Sequence, residues 1–278
     1  MMSTIKQLKK LIDEAEAIII GAGAGLSTAA GFEYGGKTFI QHFKYMKDKY
    51  GYEDMYSAGF HNFDTEEEKW AYWSKFVYLN RYATGALPLY KQLFELMKNK
   101  NYFIITTNVD HQFQKAGFNK KRLYYTQGDY GLFQCSKPCH NKTYDNQAII
   151  LKMVNEQNEY EIPSSLVPKC PKCGALMSMN LRCDETFVED EGWQVAKKRY
   201  IEFINKNKDK NILFLELGVG WNTPSIIKFS FMQMTYQMPK AHYVCINKGF
   251  NQIYDEIQDK SLILNQNILD VINELNNS

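Results

Sequence analysis

The chain has 278 residues, 45% of them hydrophobic and 23% charged, with a formal net charge of +2. That length buries a full core and suggests one large domain with an insertion, or two domains, in a soluble globular protein. The near-neutral balance gives no electrostatic case for nucleic acid or a membrane surface as a partner, and the longest apolar runs, such as 212–215, are far too short to span a bilayer.

The first ten residues are polar and amphipathic and contain no signal-peptide core, so a cytoplasmic location is the expectation. An amphipathic helix is predicted over 3–16, with Ile5, Leu8, Leu11, Ile12 and Ala15 on one side. The apolar run at 17–20 reads as a strand that breaks into "GAGAGLSTAAGFEYGG", 21–36. A helix over 66–82 starts with acidic residues and carries Trp70, Tyr72, Trp73, Phe76 and Tyr78 at helical spacing, which favours packing over base stacking. A helix at 88–99, a strand at 102–108 and a strand at 122–127 follow. From about 129 to 190 the character changes: four of the seven prolines lie between 138 and 171, and the apolar segments are short and strand-like. Alternation then resumes, with helices at 192–207, 223–236 and 266–275 and strands at 211–217 and 241–247. Strands alternating with helices predict an α/β fold, a doubly wound, Rossmann-like parallel sheet covered on both faces. The expected division is a dinucleotide-binding domain in two parts, 1–128 (with a helical insertion at about 37–85) and 191–278, around a small inserted module at 129–190.

The glycine turn is spelled G-x-G-x5-G at Gly23, Gly25 and Gly31, not the usual dinucleotide G-x-G-x2-G, and no Gly-Lys-Ser/Thr is present to make a P-loop. A turn without side chains lets backbone N–H groups approach a pyrophosphate, and Ser27 and Thr28 can add hydroxyl donors. A tight strand–helix connection with no ligand is the alternative. At "TTNVDHQFQKAG", 106–117, a strand ends and a helix begins, on the side where open α/β sheets bind ligands. Asn108 and Asp110 are two short polar groups presented there, or else simple caps of the helix at 111–116. His111 reads as an exposed or capping residue.

Cysteines 135, 139, 170 and 173 form two close pairs, Cys135-x3-Cys139 and Cys170-x2-Cys173. In a reducing compartment that spacing argues for a metal ahead of disulfides, and four thiolates suit a structural, tetrahedral Zn²⁺ with no open position for water. His140 beside Cys139 is a possible substitute ligand. Cys183 and Cys245 read as buried apolar residues.

Taken together, "GAGLSTAAGF" (23–32), "TTNVDHQFQKAG", "TQGDYGLFQC" (126–135), the paired cysteines, "LELGVGWNTPS" (215–225) and "VCINKG" (244–249) resemble, in order, the motifs of the sirtuin family. The resemblance implies NAD as co-substrate, bound between the Rossmann-like domain and the zinc module. It implies that Gly23, Ala24, Gly25, Ser27 and the loop with Gly218, Gly220, Trp221 and Asn222 hold pyrophosphate and ribose, with Asn247 near the adenosine. Asn108 would position the ribose and Asp110 orient the nicotinamide.

Two departures bear on activity. Glu33-Tyr34-Gly35-Gly36 stand where a deacylating sirtuin has Pro-Asp-Phe-Arg, and Gln127 stands at the position of the catalytic histidine. That histidine is a general base, and an amide has no titration near working pH with which to replace it. Breaking the nicotinamide–ribose bond needs no base. This combination resembles the macrodomain-linked (class M) sirtuins of microbes, and "NLRCDETFVEDEGW" (180–193) is similar to theirs. The resemblance implies protein mono-ADP-ribosylation, with a lipoylated carrier of the glycine-cleavage-H type as acceptor and a macrodomain hydrolase as a possible partner. Arg182 would steady the ADP-ribose or meet an acidic acceptor, unless it only packs on the zinc module. Lysine deacylation with another base, NAD hydrolysis and non-catalytic NAD sensing are the rival readings.

Overall fold

A computed structural model describes residues 4–222, 224–249 and 252–277. Helix α1 (Thr4–Glu14) leads into strand β1 (Ala17–Ala22) and the short α2 (Ala24–Ala29). Next come α3 (Gly36–Tyr50), α4 (Met55–Ala58), α5 (Glu66–Val77), which continues as a π-helical turn at Tyr78–Tyr82, and α6 (Pro88–Met97). The middle holds β2 (Tyr102–Thr106), α7 (Gln112–Lys115), β3 (Leu123–Tyr125), β4 (Gly128–Cys135), β5 (Tyr144–Asp145), α8 (Gln147–Glu156) and β6 (Met177–Leu181). The last third runs α9 (Glu191–Asn207), β7 (Ile212–Leu217), α10 (Lys228–Gln237), β8 (His242–Ile246), β9 (Ser261–Leu264) and α11 (Ile268–Asn276). Residue 3 and Thr223, where two helices were expected to begin, lie outside the described residues.

The chain divides into two units. The first comprises Met1–Gly31, Ala86–Gln127 and Glu191–Ser278. Its sheet has the order β3-β2-β1-β7-β8-β9 with every pairing parallel. Both faces are buried, which is why the strands read as unbroken apolar runs rather than alternating ones. On one face Ile18, Ile20, Leu213, Leu215, Val244 and Ile246 form a continuous core with Leu8, Ile12, Leu93, Val271 and Ile272 of α1, α6 and α11. On the other, Phe214 meets Phe231 of α10 at 5.0 Å and Phe103 meets Tyr200 of α9 at 5.7 Å. Gly21 is required for that second face: a Cβ there would lie 2.4 Å from Ile227 Cγ2 and 2.5 Å from Phe231 Cε2. The order of strands reverses between β1 and β7, so the crevice beyond their carboxyl ends is the switch point where such sheets take ligands.

The second unit comprises Phe32–Gly85 and Gly128–Asp190. A three-stranded antiparallel sheet, β5-β4-β6, joins α3, α4, α5 and α8. Thr65 caps α5 by accepting the Glu68 N–H at 3.1 Å, and Glu66–Glu68 complement the helix dipole in its first turn. The aromatics of α5 are core: Trp70 packs on Phe133 at 4.9 Å and Phe76 on Tyr130 at 5.2 Å. These contacts draw the segment expected as an insertion in the first domain into the second unit. Two further elements depart from expectation. Helix α8 lies in a region read as strand-like, and β9 extends the sheet at its edge.

Candidate functional site

At the switch point two glycine-bearing loops meet backbone to backbone. Gly23 N–H donates to Leu217 O at 3.0 Å and Gly25 N–H donates to Gly218 O at 2.8 Å. Gly218 has a left-handed backbone (φ 63°), and a Cβ on it would lie 2.3 Å from Leu26 N. The turn after β1 was expected to turn its glycine N–H groups outward to a pyrophosphate. Instead those of Gly23 and Gly25 tie the β1 and β7 loops together, leaving exposed Ala24 at the surface of the joint.

The second polar group is set by the end of β2. Thr106 Oγ1 accepts the Asn108 N–H at 3.0 Å, turning the chain so that Asn108 Nδ2 donates to Gly23 O at 3.0 Å and points at Tyr90 OH at 3.4 Å. With its amide donors directed inward, the half-buried Asn108 keeps Oδ1 as an acceptor. Asp110 is 3% exposed; its Oδ1 accepts the Gln112 N–H at 3.0 Å, an Asx turn that starts α7, and its Oδ2 accepts the Ser27 hydroxyl at 2.5 Å. Ser27 was expected among the groups that hold pyrophosphate and ribose. It is buried, and its hydroxyl is committed to Asp110, with Tyr90 OH 3.0 Å away. Thr28 likewise turns its hydroxyl back onto Ala24 O at 3.2 Å. Tyr90, fully buried on α6, therefore bridges the Ser27–Asp110 pair and Asn108. Sequence reasoning missed it, because a tyrosine on the apolar side of a helix reads as packing. His111 follows Asp110 in the left-handed region (φ 64°) as the N-cap of α7.

Gln127 is half-buried in the turn after β3, which lies beside β2 in the sheet. On the β7 side, Gly220, Trp221 and Asn222 are exposed, and Asn247 Nδ2 donates to Val219 O at 3.2 Å, tying the end of β8 to that loop. Thr223 of the same motif lies outside the described residues. In the second unit Arg182 is exposed, its Nη2 donating to Glu189 Oε1 at 2.5 Å with its guanidinium 4.3 Å from the Phe187 ring centroid.

The four paired cysteines converge. Their Sγ atoms all lie within 4.8 Å of one another, with Cys135–Cys173 at 3.6 Å and Cys139–Cys170 at 3.7 Å. Tetrahedral Zn–S bonds of about 2.3 Å place sulfurs roughly 3.8 Å apart, so the cluster fits zinc. The knuckle is built by a hairpin in which Cys170 N–H donates to Ala175 O at 2.7 Å and Gly174 N–H to Cys170 O at 2.8 Å. The 30 intervening residues, 140–169, form α8 and its flanks, so the loop is folded structure and not slack chain. His140, considered as a substitute ligand, is not among the four converging groups. Its Nδ1 lies 2.9 Å from Cys139 Sγ and its Nε2 2.7 Å from Tyr144 OH, so beside a thiolate Nδ1–H donates to sulfur while Nε2 accepts from the tyrosine.

No family model matches the chain. Among solved structures, Sir2Tm bound to a propionylated peptide superposes with a TM-score of 0.62 at 17% identity, over 98% of this chain and 97% of that one. The architecture is the sirtuin fold. Among curated proteins, a protein ADP-ribosyltransferase of Staphylococcus aureus is 38% identical over 266 residues, covering 95% of this chain and 84% of that protein. A probable bifunctional ADP-ribose hydrolase/ADP-ribosyltransferase of Fusarium oxysporum f. sp. cubense is 30% identical over 235 residues, covering 80% of this chain and 38% of that longer protein. The chain belongs to the sirtuin-type protein ADP-ribosyltransferases, an NAD-dependent family. Among the described residues no helix is long and apolar enough to cross a membrane.

Proposed function

We propose that this protein transfers ADP-ribose from NAD to a carboxylate side chain of a lipoylated, glycine-cleavage-H-like carrier protein in the cytoplasm, releasing nicotinamide. The observation that carries the reading is the pairing of an intact network, in which half-buried Asn108 joins buried Tyr90, Ser27 and Asp110, with a carboxamide at Gln127. Asn108 Oδ1 accepts from a ribose hydroxyl. Asp110, a carboxylate with acceptor oxygens only, orients the nicotinamide amide. Gly23, Ala24 and Gly25 with the 218–222 loop form the ledge for pyrophosphate and ribose, and Asn247 lies on the adenosine side.

As the C1′–nitrogen bond breaks, its electron pair leaves with neutral nicotinamide and positive charge develops on the ribose. Preorganised dipoles stabilise that centre without any proton transfer. Gln127 holds the ribose hydroxyls but takes up no proton, so the acceptor must arrive as a ready nucleophile. A carboxylate, ionised at neutral pH, is one, and Arg182 suits an acidic group on the acceptor. That the Fusarium relative is named for both transferase and ADP-ribose hydrolase activities supports a macrodomain hydrolase as the partner that reverses the modification.

The test is labelled NAD with lipoylated and unlipoylated carrier, beside Asn108→Ala, Gln127→Ala and an acetylated lysine peptide. Label on the lipoylated carrier, removable by neutral hydroxylamine as an ester is, is the expected result. O-acetyl-ADP-ribose from the peptide would instead make it a deacylase, free ADP-ribose without an acceptor a hydrolase, and NAD binding without nicotinamide release a sensor.

A further inference from the structure

A second polar cluster lies on the sheet face opposite the Leu213–Leu215–Leu217 core. In the run "ILFLEL" of β7, Glu216 is a carboxylate with no exposure, and Lys228, the first residue of α10, has a side chain 1% exposed. Lys228 Nζ donates to Glu216 Oε1 at 2.5 Å and Tyr243 OH donates to Oε2 at 2.5 Å. Cys245, the β8 partner of Glu216 in register, donates its thiol to Oε1 at 3.4 Å. An isolated buried ion pair gives little or no net stability over apolar residues of similar volume, because desolvating both charges offsets their attraction. Beyond stability, the chain path gives the pair a second role. Glu216 stands just before the Gly218 turn and Lys228 stands where the same connection enters α10, so the pair clasps both ends of the loop. The Lys228 ammonium also lies 5.4 Å from the ring centroid of Trp221, the exposed aromatic of that loop. A cation under one face holds the indole by its quadrupole and leaves the rest of the ring presented outward. Phe229 braces it edge-on at 6.2 Å, and Asn247 Nδ2 fixes Val219 O from β8.

We propose that the buried Glu216–Lys228 pair is a positioning device that seats Trp221 and the 218–222 loop for the adenosine half of the co-substrate, an inference that rests on the cofactor reading above. The pair touches no reacting atom. It sets how well the nucleotide binds and leaves the bond-breaking step to Asn108 and Asp110.

The experiment compares wild type, Trp221→Phe, the charge-free double variant Glu216→Gln/Lys228→Met, and the triple combination. The readouts are NAD binding by calorimetry and steady-state nicotinamide release at saturating acceptor. The double variant, which keeps an acceptor for Tyr243, is expected to raise KM for NAD by about tenfold while kcat stays within about twofold. Trp221→Phe is expected to raise KM similarly, and the triple variant to add nothing further, because both changes remove the same seat. A folded double variant with wild-type KM, or effects that simply multiply, overturns the proposal. If the double variant does not fold, Tyr243→Phe, which removes one hydrogen bond and keeps both charges, is expected to raise KM by about threefold at constant kcat; an unchanged KM overturns it. Failure of the wild-type protein to bind NAD would overturn the cofactor reading and this inference together, whereas wild-type binding that is insensitive to the variants overturns the inference alone.

Discussion

The two units solve the problem of a core differently. In the first, a six-stranded parallel sheet is covered on both faces, and β1, β2 and β7 are buried along their whole length. In the second, a three-stranded sheet is too small to close a core unaided, and rings from α5 packed on β4 share the task with four thiolates. The first is therefore intolerant of added atoms where loops or helices touch backbone. The second tolerates surface change but depends on its metal.

The largest effect expected of that contrast follows from metal removal. A structural zinc in small modules contributes on the order of 10 kcal/mol. Stripping it with a strong chelator, or Cys170→Ser, is expected to abolish amide-exchange protection at 128–135 and 169–181 while β1, β2 and β7 remain protected. Equal loss in both sheets would erase the distinction. The reverse probe is Gly218→Ala, whose added methyl would meet Leu26 N at 2.3 Å in a left-handed backbone. A cost of about 3 kcal/mol by chemical denaturation is expected, confined to the first unit, together with a KM for NAD raised more than about tenfold. Smaller still is Tyr90→Phe, which leaves the volume intact and removes the bridge between Ser27 and Asn108. It should lower stability by about 1 kcal/mol and slow nicotinamide release by about tenfold with KM nearly unchanged, as expected when orientation rather than binding is lost.

The first unit was legible because its signals are local: an apolar run, a glycine turn, then Thr106-Thr107-Asn108 where a strand gives out. The cysteine pairs were legible for the same reason, since each pair is a short-range spelling of a knuckle. What escaped is what depends on contacts between distant segments. Tyr90 becomes a polar bridge only when α6 lies against the β1 and β2 loops. Glu216 was passed over inside an apolar strand, and its partner Lys228 is reached only when α10 folds back over the sheet. Helix α8 was hidden because prolines and cysteines flank it, and they belong to the knuckle. Even the glycine turn was half read. Its shape was right, but the Gly23 and Gly25 N–H groups serve the neighbouring loop.

Sulfur gives the finest test of the contrast, since the same atom plays opposite parts in the two units. Cys245 is 1% exposed, and burial first, then the neighbouring Glu216 carboxylate, pushes its thiol up to about 12. At pH 8 the thiolate fraction is then roughly one in ten thousand, and only the thiolate alkylates. Because burial and Glu216 hold the thiol protonated only while the site is closed, labelling of Cys245 should follow opening of this face. Cys183, expected from the sequence to be buried, is exposed, with its thiol raised by burial of part of the side chain and by Asp184. Iodoacetamide on the native protein at pH 8 is expected to modify Cys183 first and Cys245 not at all on the same timescale. The cluster cysteines should stay unmodified until chelation, after which exposed Cys173 reacts ahead of buried Cys135 and Cys170. Peptide mass spectrometry reads all six sites at once. Early labelling of Cys245 would mean that the face carrying Glu216 opens readily, and the first unit would then lose its claim to be the rigid one.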